Sequence, residues 1–423
     1  MVQPPAEGPA QTEAGRWAVA LAGAVALAVA MGIGRFAFTP LLPMMLDDRV
    51  IDLQGASWLA TANYFGYLVG ALLCTFQPWI WSRLRALPAV QAPALIRAGL
   101  VATGLLTVGM ALPAPTLWPA LRFAAGVASA VVFVFTSGWC LAQLARLEAT
   151  ALGGVMYTGP GAGIVASGLF ASAMVAWHWR AATGWLIFGV LAWLLTAAVW
   201  GIFGRGASPR PSAQAHAAAG ADSPQRAHSR GELAIMAVAY GLAGFGYIIS
   251  ATFLPVIARQ ALPGSAWLDM FWPIFGAGVI VGALLSARWH VRGDLRFVLA
   301  ACYVVQALGI AVGVWSPTLV GFAFGSLLLG LPFTAITFFA MREARRLRPA
   351  APASAMGLLT ALYGIGQIVG PPLVAWLLKR SPSPGQGFAL SLQVAAAALV
   401  AGAAVAPPVM RVLTSLAQLG AQR

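Results

Sequence analysis

The chain has 423 residues, of which 60% are hydrophobic and only 9% are charged. Soluble domains carry about 25% charged residues, and a soluble fold could not bury this much apolar surface, so a bilayer is the expected environment. The formal net charge of +14 comes mainly from arginines in short segments between apolar runs. This distribution is typical of membrane proteins and argues against a nucleic-acid partner.

Twelve apolar runs, each long enough to cross a bilayer as a helix, follow one another along the chain. The first six lie near residues 17–44, 56–79, 93–112, 117–143, 151–176 and 182–203. The second six lie near residues 233–257, 267–287, 295–315, 318–341, 353–378 and 386–408. The runs are continuous and do not alternate with polar residues, which favours helices over a β-barrel. The sequence therefore predicts an all-α integral membrane protein with twelve transmembrane helices.

A polar stretch separates the first six runs from the second six. It is rich in Ala, Ser, Pro, Arg and His and shows no apolar periodicity, which is typical of a flexible linker. The predicted organisation is a tail at 1–16, a six-helix half at 17–204, a linker at 205–231, a second six-helix half at 232–410 and a tail at 411–423.

Basic residues are distributed unequally between the two sides of the predicted bundle. With the N-terminus inside, 18 of the 25 Lys and Arg residues lie in cytoplasmic segments, five lie in outer segments and two lie within spans. Cytoplasmic loops carry the excess of basic residues in membrane proteins, so both termini are predicted to be cytoplasmic. We expect a multi-pass monomer in the lipid bilayer of a bacterial inner membrane.

The two halves resemble each other in sequence. GIGRFAFTPLLP (Gly32–Pro43) aligns with GFGYIISATFLP (Gly244–Pro255), and the same offset aligns two copies of VGALL farther along the chain. RFAAG at 122–126 also recurs as GFAFG at 321–325. Several matches in the same order indicate a duplicated unit. Because each unit holds an even number of spans, the two halves are predicted to be parallel.

The chain resembles the major facilitator superfamily (MFS) over essentially its full length. MGIGRFAFTPLLPMM (Met31–Met45), followed by SWLATANYFGYLVGALL (Ser57–Leu73), is similar to the opening of the YbfB/YjiJ-like branch. Arg122 with Gly126 resembles the arginine motif in the fourth span of many proton-coupled members. The loop after the second span departs from the family pattern, because WSRLR at 81–85 lacks the acidic residue that is often found there.

The resemblance implies rocker-switch alternating access, in which the two halves tilt around a site near the midplane. The first, fourth, seventh and tenth spans would line that site. A glycine–proline segment in the fifth span resembles the glycine–proline motif of antiporters. Small residues and prolines of these motifs are expected to have conformational roles, namely Gly32, Gly34, Pro40, Pro43, Gly126, Gly159, Pro160 and Gly163.

Two ionisable residues lie well inside predicted spans. Arg35 is in the first span and Arg122 is in the fourth, both in the outer half of the expected cavity. A charge near the bilayer centre costs about 2.5–3.5 kcal/mol even on the mildest insertion scale. No predicted span carries a carboxylate near its middle, so the substrate could supply the counter-ion. Arginine binds carboxylates or phosphates in a planar fork, which favours a small organic anion as substrate.

Other roles for the two arginines remain open from sequence alone. They could bond helix carbonyls, snorkel towards Asp47, Asp48 or Asp269, or, in the case of Arg122, take part in proton coupling. Polar residues expected to complete the substrate site are Asn63, Tyr64, Tyr157, Tyr247 and Gln367. Tyr247 aligns with Arg35 in the repeat, so it is expected to face the cavity from the other half.

The predicted function is secondary active transport of a small organic anion, with proton-coupled efflux of drugs or metabolites as the alternative. Protons are a possible second partner, and Asp269 near the outer end of the eighth span is the best candidate for coupling. A membrane enzyme is disfavoured because HExxH, GxSxG and Walker-type motifs are absent from the sequence. A channel is disfavoured because the two-half design implies alternating access. No cofactor or metal is expected.

Overall fold

The computed structural model describes residues 9–83, 91–204, 224–265, 267–288, 294–348 and 352–421. Within these ranges every regular element is a helix, and twelve segments are long and apolar enough to cross a membrane. They are α1 (Gly15–Asp47), α2 (Leu53–Gln77), α3 (Ala92–Gly109), α4 (Trp118–Arg146), α5 (Thr150–Ala176), α6 (Ala181–Val199), α7 (Gly231–Ala261), α8 (Leu268–Arg288), α9 (Leu295–Trp315), α10 (Leu319–Leu347), α11 (Ser354–Arg380) and α12 (Pro384–Val405). Their number and order confirm the predicted twelve-helix fold.

The helix that contains α7 begins earlier than the sequence predicts. It starts at Pro224 and therefore includes the last part of the predicted linker at 205–231. The rest of that linker, residues 205–223, lies outside the described residues. The polar composition of the stretch predicts a flexible segment, but apolar packing of α7 in the bundle gives the helix a stable body from which it can extend.

Both predicted tails are partly helical. The helix that contains α1 begins at Pro9, inside the tail predicted at 1–16. The helix that contains α12 continues to Ala421, inside the tail predicted at 411–423. The first eight and last two residues of the chain lie outside the described residues.

Large apolar side chains face outwards along most of the spans. Trp58, Leu194 and Val320 are each more than half exposed. In water such exposure would be unfavourable, but hydrocarbon solvates these side chains as well as a protein interior does. The backbone needs no outside partner because each helix satisfies its own N–H and C=O groups. The bundle is therefore apolar on its surface as well as in its core.

The helices pack as two groups of six. In the first group, α4 packs along α2 and α3, and in the second, α7 packs along α11 and α12. The two groups pack against each other along two extended helix–helix interfaces, one between α2 and α11 and the other between α5 and α8. We call the end of the bundle at which α1 begins the N-terminal face, and the end at which α1 finishes the opposite face.

The same close contacts recur in both halves, which supports the internal repeat. A Cβ atom on Gly66 would meet the backbone of Phe123, and one on Gly278 would meet the backbone oxygen of Leu327. These contacts join α2 to α4 and α8 to α10, and the two glycines are the pair that the sequence repeat aligns.

One alignment made from sequence is wrong. Gly126 packs against the backbone of Asn63. The repeat pairs Asn63 with Phe275, and the glycine that packs against the backbone of Phe275 is Gly330, which is therefore the counterpart of Gly126. The match of RFAAG with GFAFG instead pairs Gly126 with Gly325, which packs against Gly309. Helices rich in Gly and Ala match each other in several registers, so the contact and not the composition identifies the equivalent residues.

The first span is a broken helix. An α-helix ends at Leu27, a π-helical turn covers Ala28–Ile33, residues 34–37 form irregular turns, and an α-helix resumes over Phe38–Asp47. Pro40 has no N–H to donate to the carbonyl of residue 36, which accepts from Thr39 instead. Sharp irregularities in helices have such local causes, and π-turns are frequent at functional sites.

Candidate functional site

The break in α1 places Arg35 between the two halves. Arg35 is only 3% exposed, and its Nη2 donates a hydrogen bond of 2.5 Å to Oε1 of Gln367 on α11. The guanidinium carbon lies 4.2 Å from the ring centroid of Tyr67 and 5.1 Å from that of Tyr64. Within the described part of the chain, Nε has no hydrogen-bond partner. The cation is thus held by aromatic faces and a neutral amide.

Arg122 has different partners, because it holds the broken backbone of α1. Its Nη1 donates to the carbonyl of Gly34 at 3.2 Å, and its Nη2 donates to the carbonyl of Arg35 at 3.1 Å. The guanidinium carbon lies 5.0 Å from the ring centroid of Phe38. Asn63 donates to the backbone carbonyl of Arg122 at 2.9 Å. Both terminal nitrogens of Arg122 are therefore engaged with backbone carbonyls of α1, one of the alternatives left open by sequence.

The acids near the opposite face have partners other than these two arginines. Asp48 accepts a hydrogen bond of 2.7 Å from the backbone N–H of Ala181, at the start of α6. Asp269 forms an ion pair of 2.7 Å with Arg259. Among the residues that the structure describes, no Asp or Glu forms an ion pair with Arg35 or Arg122. The two buried cations therefore have no carboxylate of the described chain as a direct partner.

A side-chain relay joins Arg35 to the second half. Gln367 accepts from Arg35 through Oε1 and donates through Nε2 to the hydroxyl of Tyr247 at 2.6 Å. Tyr247 is 1% exposed and lies on α7, the repeat counterpart of α1. The structure therefore brings together three of the residues predicted for the substrate site, and Tyr64 lies beside them.

Two further hydrogen bonds join the halves. The hydroxyl of Tyr64 on α2 lies 2.8 Å from Oγ1 of Thr252 on α7. Thr39 on α1, one turn beyond the break, donates to the backbone carbonyl of Ala251 at 2.9 Å. The last helical part of α1 packs against α7, whereas the part before the break and α4 make their extensive contacts within the first half. The halves are thus joined between Arg35 and the opposite face.

Three tyrosines form a stack on the second half, which we call the tyrosine wall (Tyr240, Tyr247 and Tyr363). Tyr240 and Tyr363 have ring centroids 4.4 Å apart at an interplanar angle of 25°. Tyr363 and Tyr247 have centroids 5.7 Å apart at 17°. Sequence reasoning missed Tyr240, Tyr363 and also Tyr67. Their position inside spans could have identified them as candidate site residues, because Tyr in membrane proteins is enriched at the interfaces and not in the middle of the bilayer.

Two other predicted site residues lie away from the guanidinium of Arg35. Asn63 is buried against α4, where its amide holds a backbone carbonyl. Tyr157 is partly exposed on α5, and its ring centroid lies 6.3 Å from that of Phe133. Their contribution to a substrate site stays a prediction, and the observed contacts make Asn63 a packing residue of α2 and α4.

The glycine–proline motif lies where α5 packs against α1. A Cβ atom on Gly163 would come within 2.6 Å of the Cα of Gly32, and one on Gly159 would meet the backbone of Ala24. Pro160 is in the first turn of the helix Gly159–Ala176, where a missing N–H costs no hydrogen bond. The close contact of α1 with α5 thus depends on small residues on both helices.

The remaining motif residues surround the break in α1. Gly34 packs beside Thr103 and Ser129, and Pro40 and Pro43 lie in the helix that follows the break. The side chain of Ser129 donates to the carbonyl of Ala30 at 2.7 Å. Polar side chains of the first half therefore satisfy backbone groups that the irregular helix leaves open.

Asp269, the residue predicted for proton coupling, lies at the start of α8. It and its partner Arg259 are about one-fifth exposed, at 21% and 23%. The ion pair joins α7 to α8 within the second half and lies away from the relay at Gln367. A coupling role for Asp269 stays a prediction. Among the described residues, no group of three His, Cys, Asp or Glu could hold a metal ion.

Sequence reasoning missed a buried charge cluster at the N-terminal face of the second half. Arg296 on α9 pairs with Glu232 on α7 at 2.9 Å and with Glu343 on α10 at 3.1 Å. Glu343 also pairs with Arg346 at 2.7 Å and is completely buried. The sequence placed these acids at span ends but could not show that they are buried. The cluster joins three helices of the second half at one point.

Replacing Arg296 with Met is expected to lower the free energy of unfolding by about 3–5 kcal/mol, because Glu232 and Glu343 would stay buried after losing a shared cation. The measurement is thermal unfolding of the purified protein in detergent. The control is Arg259→Met, whose ion pair with Asp269 is partly exposed and should contribute about 1 kcal/mol or less. Equal melting temperatures for the two variants would contradict the assignment.

Comparison with known proteins agrees with this architecture. Residues 27–407 match the family model described as "Uncharacterised MFS-type transporter YbfB". No curated protein sequence matches the chain. The crystal structure of a single-residue mutant of the nucleoside transporter NupG is similar in fold, with a TM-score of 0.71 and 14% identity over 93% of this chain and 99% of that chain. A second NupG crystal structure has a TM-score of 0.64 and 13% identity over 92% and 98% of the two chains.

Identities of 13% and 14% show the fold alone, and nucleoside transport is a property of NupG. The family model is more informative, because it extends from within α1 past the end of the α12 span. The two six-helix halves agree with the family match over residues 27–407. The chain belongs to the MFS family described as the uncharacterised MFS-type transporter YbfB.

Proposed function

We propose that the protein is a secondary active transporter that carries a small organic anion by alternating access, with Arg35 as the charged group that binds the anion. One observation supports this assignment above the others. Arg35 is buried between the halves with an unused Nε–H, and its partners are aromatic rings and an amide. A permanent cation in such a place calls for a negative partner.

The energetics favour a ligand that completes the site. Burying the guanidinium in the membrane costs about 2.5–3.5 kcal/mol on the mildest scale. Cation–π contacts offset about 0.5–2 kcal/mol of this cost, and the hydrogen bond from the charged guanidinium to Gln367 offsets about 1.5–3 kcal/mol, so the neutral site balances the cost without a surplus. A carboxylate can accept two parallel N–H bonds from Arg35, which are roughly twice as strong as neutral ones.

The two arginines have separate roles in this proposal. Both were predicted to bind substrate, but Arg122 uses its terminal nitrogens to hold the carbonyls of Gly34 and Arg35. We assign Arg122 the role of positioning the broken segment of α1. Gln367, Tyr247 and Tyr64 are assigned as polar neighbours of the bound anion, so that the cargo contacts both halves.

Hydrogen bonds near the opposite face support the alternating-access part of the proposal. Thr39–Ala251 and Tyr64–Thr252 connect the halves on that side of Arg35. Towards the N-terminal face, Tyr67 and Tyr363 are partly exposed although they lie in the middle of their helices. With both termini in the cytoplasm of a bacterium, as we propose from the arginine distribution, these hydrogen bonds close the outer side of a monomeric inner-membrane carrier.

Proton coupling is the least constrained part of the mechanism. Asp269 is paired with Arg259, so we assign no residue to proton transfer and propose that the cargo crosses as an anion. The alternative function is proton-coupled efflux of drugs or metabolites. The packing of Gly159 and Gly163 against α1 supports that alternative, because this motif is typical of antiporters.

Replacing Arg35 with Gln is expected to lower the uptake of organic anions into proteoliposomes about 10- to 100-fold, because hydrogen bonds to a charged group contribute about 1.5–3 kcal/mol. The control is Arg380→Gln, which removes a guanidinium lying 4.4 Å from the Trp376 ring on the surface of α11. That variant is expected to transport like the unmodified protein. Anion uptake at an unchanged rate in Arg35→Gln would overturn the proposal.

A further inference from the structure

The tyrosines of this protein are concentrated inside the bundle. Of the seven in the chain, six are on helices that line the space between the halves: Tyr64, Tyr67, Tyr157, Tyr240, Tyr247 and Tyr363. Tyr in membrane proteins is usually found in belts at the two interfaces, where its hydroxyl reaches water. A set of tyrosines in the interior therefore gives the region between the halves a polar and aromatic lining.

The tyrosine wall leads from Arg35 towards the N-terminal face. Tyr247 is joined to Arg35 through Gln367, Tyr363 stacks on Tyr247, and Tyr240 stacks on Tyr363. The hydroxyl of Tyr240 donates to Oγ1 of Thr337 on α10 at 3.1 Å. The wall is thus fixed at both ends, and its rings are nearly parallel.

Aromatic rings lie on two sides of the Arg35 guanidinium. Across from the wall, Tyr67 on α2 lies beneath the guanidinium and is partly exposed. Tyr363, the central ring of the wall, is also partly exposed, whereas Tyr240 and Tyr247 are buried. Aromatic rings attract each other in offset or edge-on geometries at centroid distances of about 4.5–7 Å. Tyr240 and Tyr247 already stack on Tyr363, so a flat cargo ring would contact the exposed part of Tyr363 edge-on.

We infer that the cargo is a flat aromatic carboxylate with a single negative charge, whose carboxylate binds Arg35 and whose ring packs on the tyrosine wall. This inference rests on the proposed function and narrows its substrate class. A single available cation suits a monoanion, because the other buried guanidinium, on Arg122, uses its terminal nitrogens to hold backbone carbonyls of α1. The neutral, ring-lined surroundings suit an apolar body attached to that charge.

The test compares benzoate with cyclohexanecarboxylate, which has the same charge and the same number of heavy atoms but a puckered, saturated ring. Uptake of each radiolabelled acid is measured in proteoliposomes at about pH 8, where carboxylic acids with pKa values near 4 are ionised. Aromatic contact with Tyr363 predicts a preference for benzoate of about two- to tenfold. Tyr363→Leu is expected to remove this preference, whereas Tyr363→Phe retains the ring and is expected to keep it.

The possible outcomes distinguish the aromatic cargo from the anion-carrier function on which it rests. Equal uptake of the two acids, or uptake of lactate without uptake of benzoate, would overturn the aromatic cargo and leave an anion carrier. A benzoate preference that persists in Tyr363→Leu would overturn the role of the wall. No uptake of benzoate, cyclohexanecarboxylate or lactate by a protein that transports a cationic drug would overturn both.

Discussion

Replacement of Arg122 by Met is expected to unfold the midsection of α1 and to abolish transport of every substrate. The change removes two hydrogen bonds to the carbonyls of Gly34 and Arg35, which the irregular helix presents in a buried setting. An unsatisfied buried carbonyl costs about 1–3 kcal/mol, so the expected loss of stability is about 2–6 kcal/mol. Thermal unfolding of the ligand-free protein in detergent measures it.

The control for Arg122 is another arginine that bonds a backbone carbonyl. Arg97 donates to the carbonyl of Trp200 at 2.8 Å but is only partly buried, so water can replace it. Arg97→Met is expected to cost about 1 kcal/mol or less. If Arg122→Met unfolds at the same temperature as the unmodified protein and loses only transport, Arg122 is a substrate ligand and the positioning role is wrong.

Adding a single methyl group at Gly163 is expected to lower the transport rate at least tenfold. In Gly163→Ala the new carbon would lie 2.6 Å from the Cα of Gly32 and 2.7 Å from the carbonyl oxygen of Ala28. Both contacts are with backbone, so α1 must shift as a unit and carry Arg35 with it. Such overpacking costs about 1–3 kcal/mol. The measurement is substrate uptake together with thermal unfolding.

Gly138 on α4 provides the matched control, because a Cβ atom there would meet nothing within 4 Å. Gly138→Ala is expected to be neutral or to stabilise the helix by up to about 1 kcal/mol, since Ala is the better helix former. If Gly163→Ala takes up substrate at the wild-type rate, α1 and α5 can move apart without loss of transport, and the close packing of these helices is not required for function.

The twelve spans could be predicted from the sequence because the bilayer fixes both their length and their composition. The repeat also gave correct information where it rested on distinctive residues. Aligning Tyr247 with Arg35 placed it near the guanidinium, and the structure connects the two through Gln367. In the fourth and tenth spans the match of RFAAG with GFAFG rested on one Phe, one Ala and one Gly, and the resulting register was wrong.

Which face of a span is buried could not be predicted. Periodicity carries little information when lipid-facing and core-facing sides are both apolar. The sequence therefore did not separate Glu343, which is completely buried, from acids that face solvent at other span ends. The break in α1 was also missed, although Pro40 lies within the span, because proline alone does not specify whether a membrane helix kinks or unwinds.

The hydrogen bond between Arg35 and Gln367 has a consequence for the empty carrier. The amide oxygen occupies one N–H of the guanidinium in the absence of cargo, so it acts as a built-in substitute for the missing anion. In the proposed mechanism, the unloaded protein can then reorient without exposing an unpaired cation to the membrane. A carrier of this design is expected to return empty, and so to support net flux as well as exchange of one solute molecule for another.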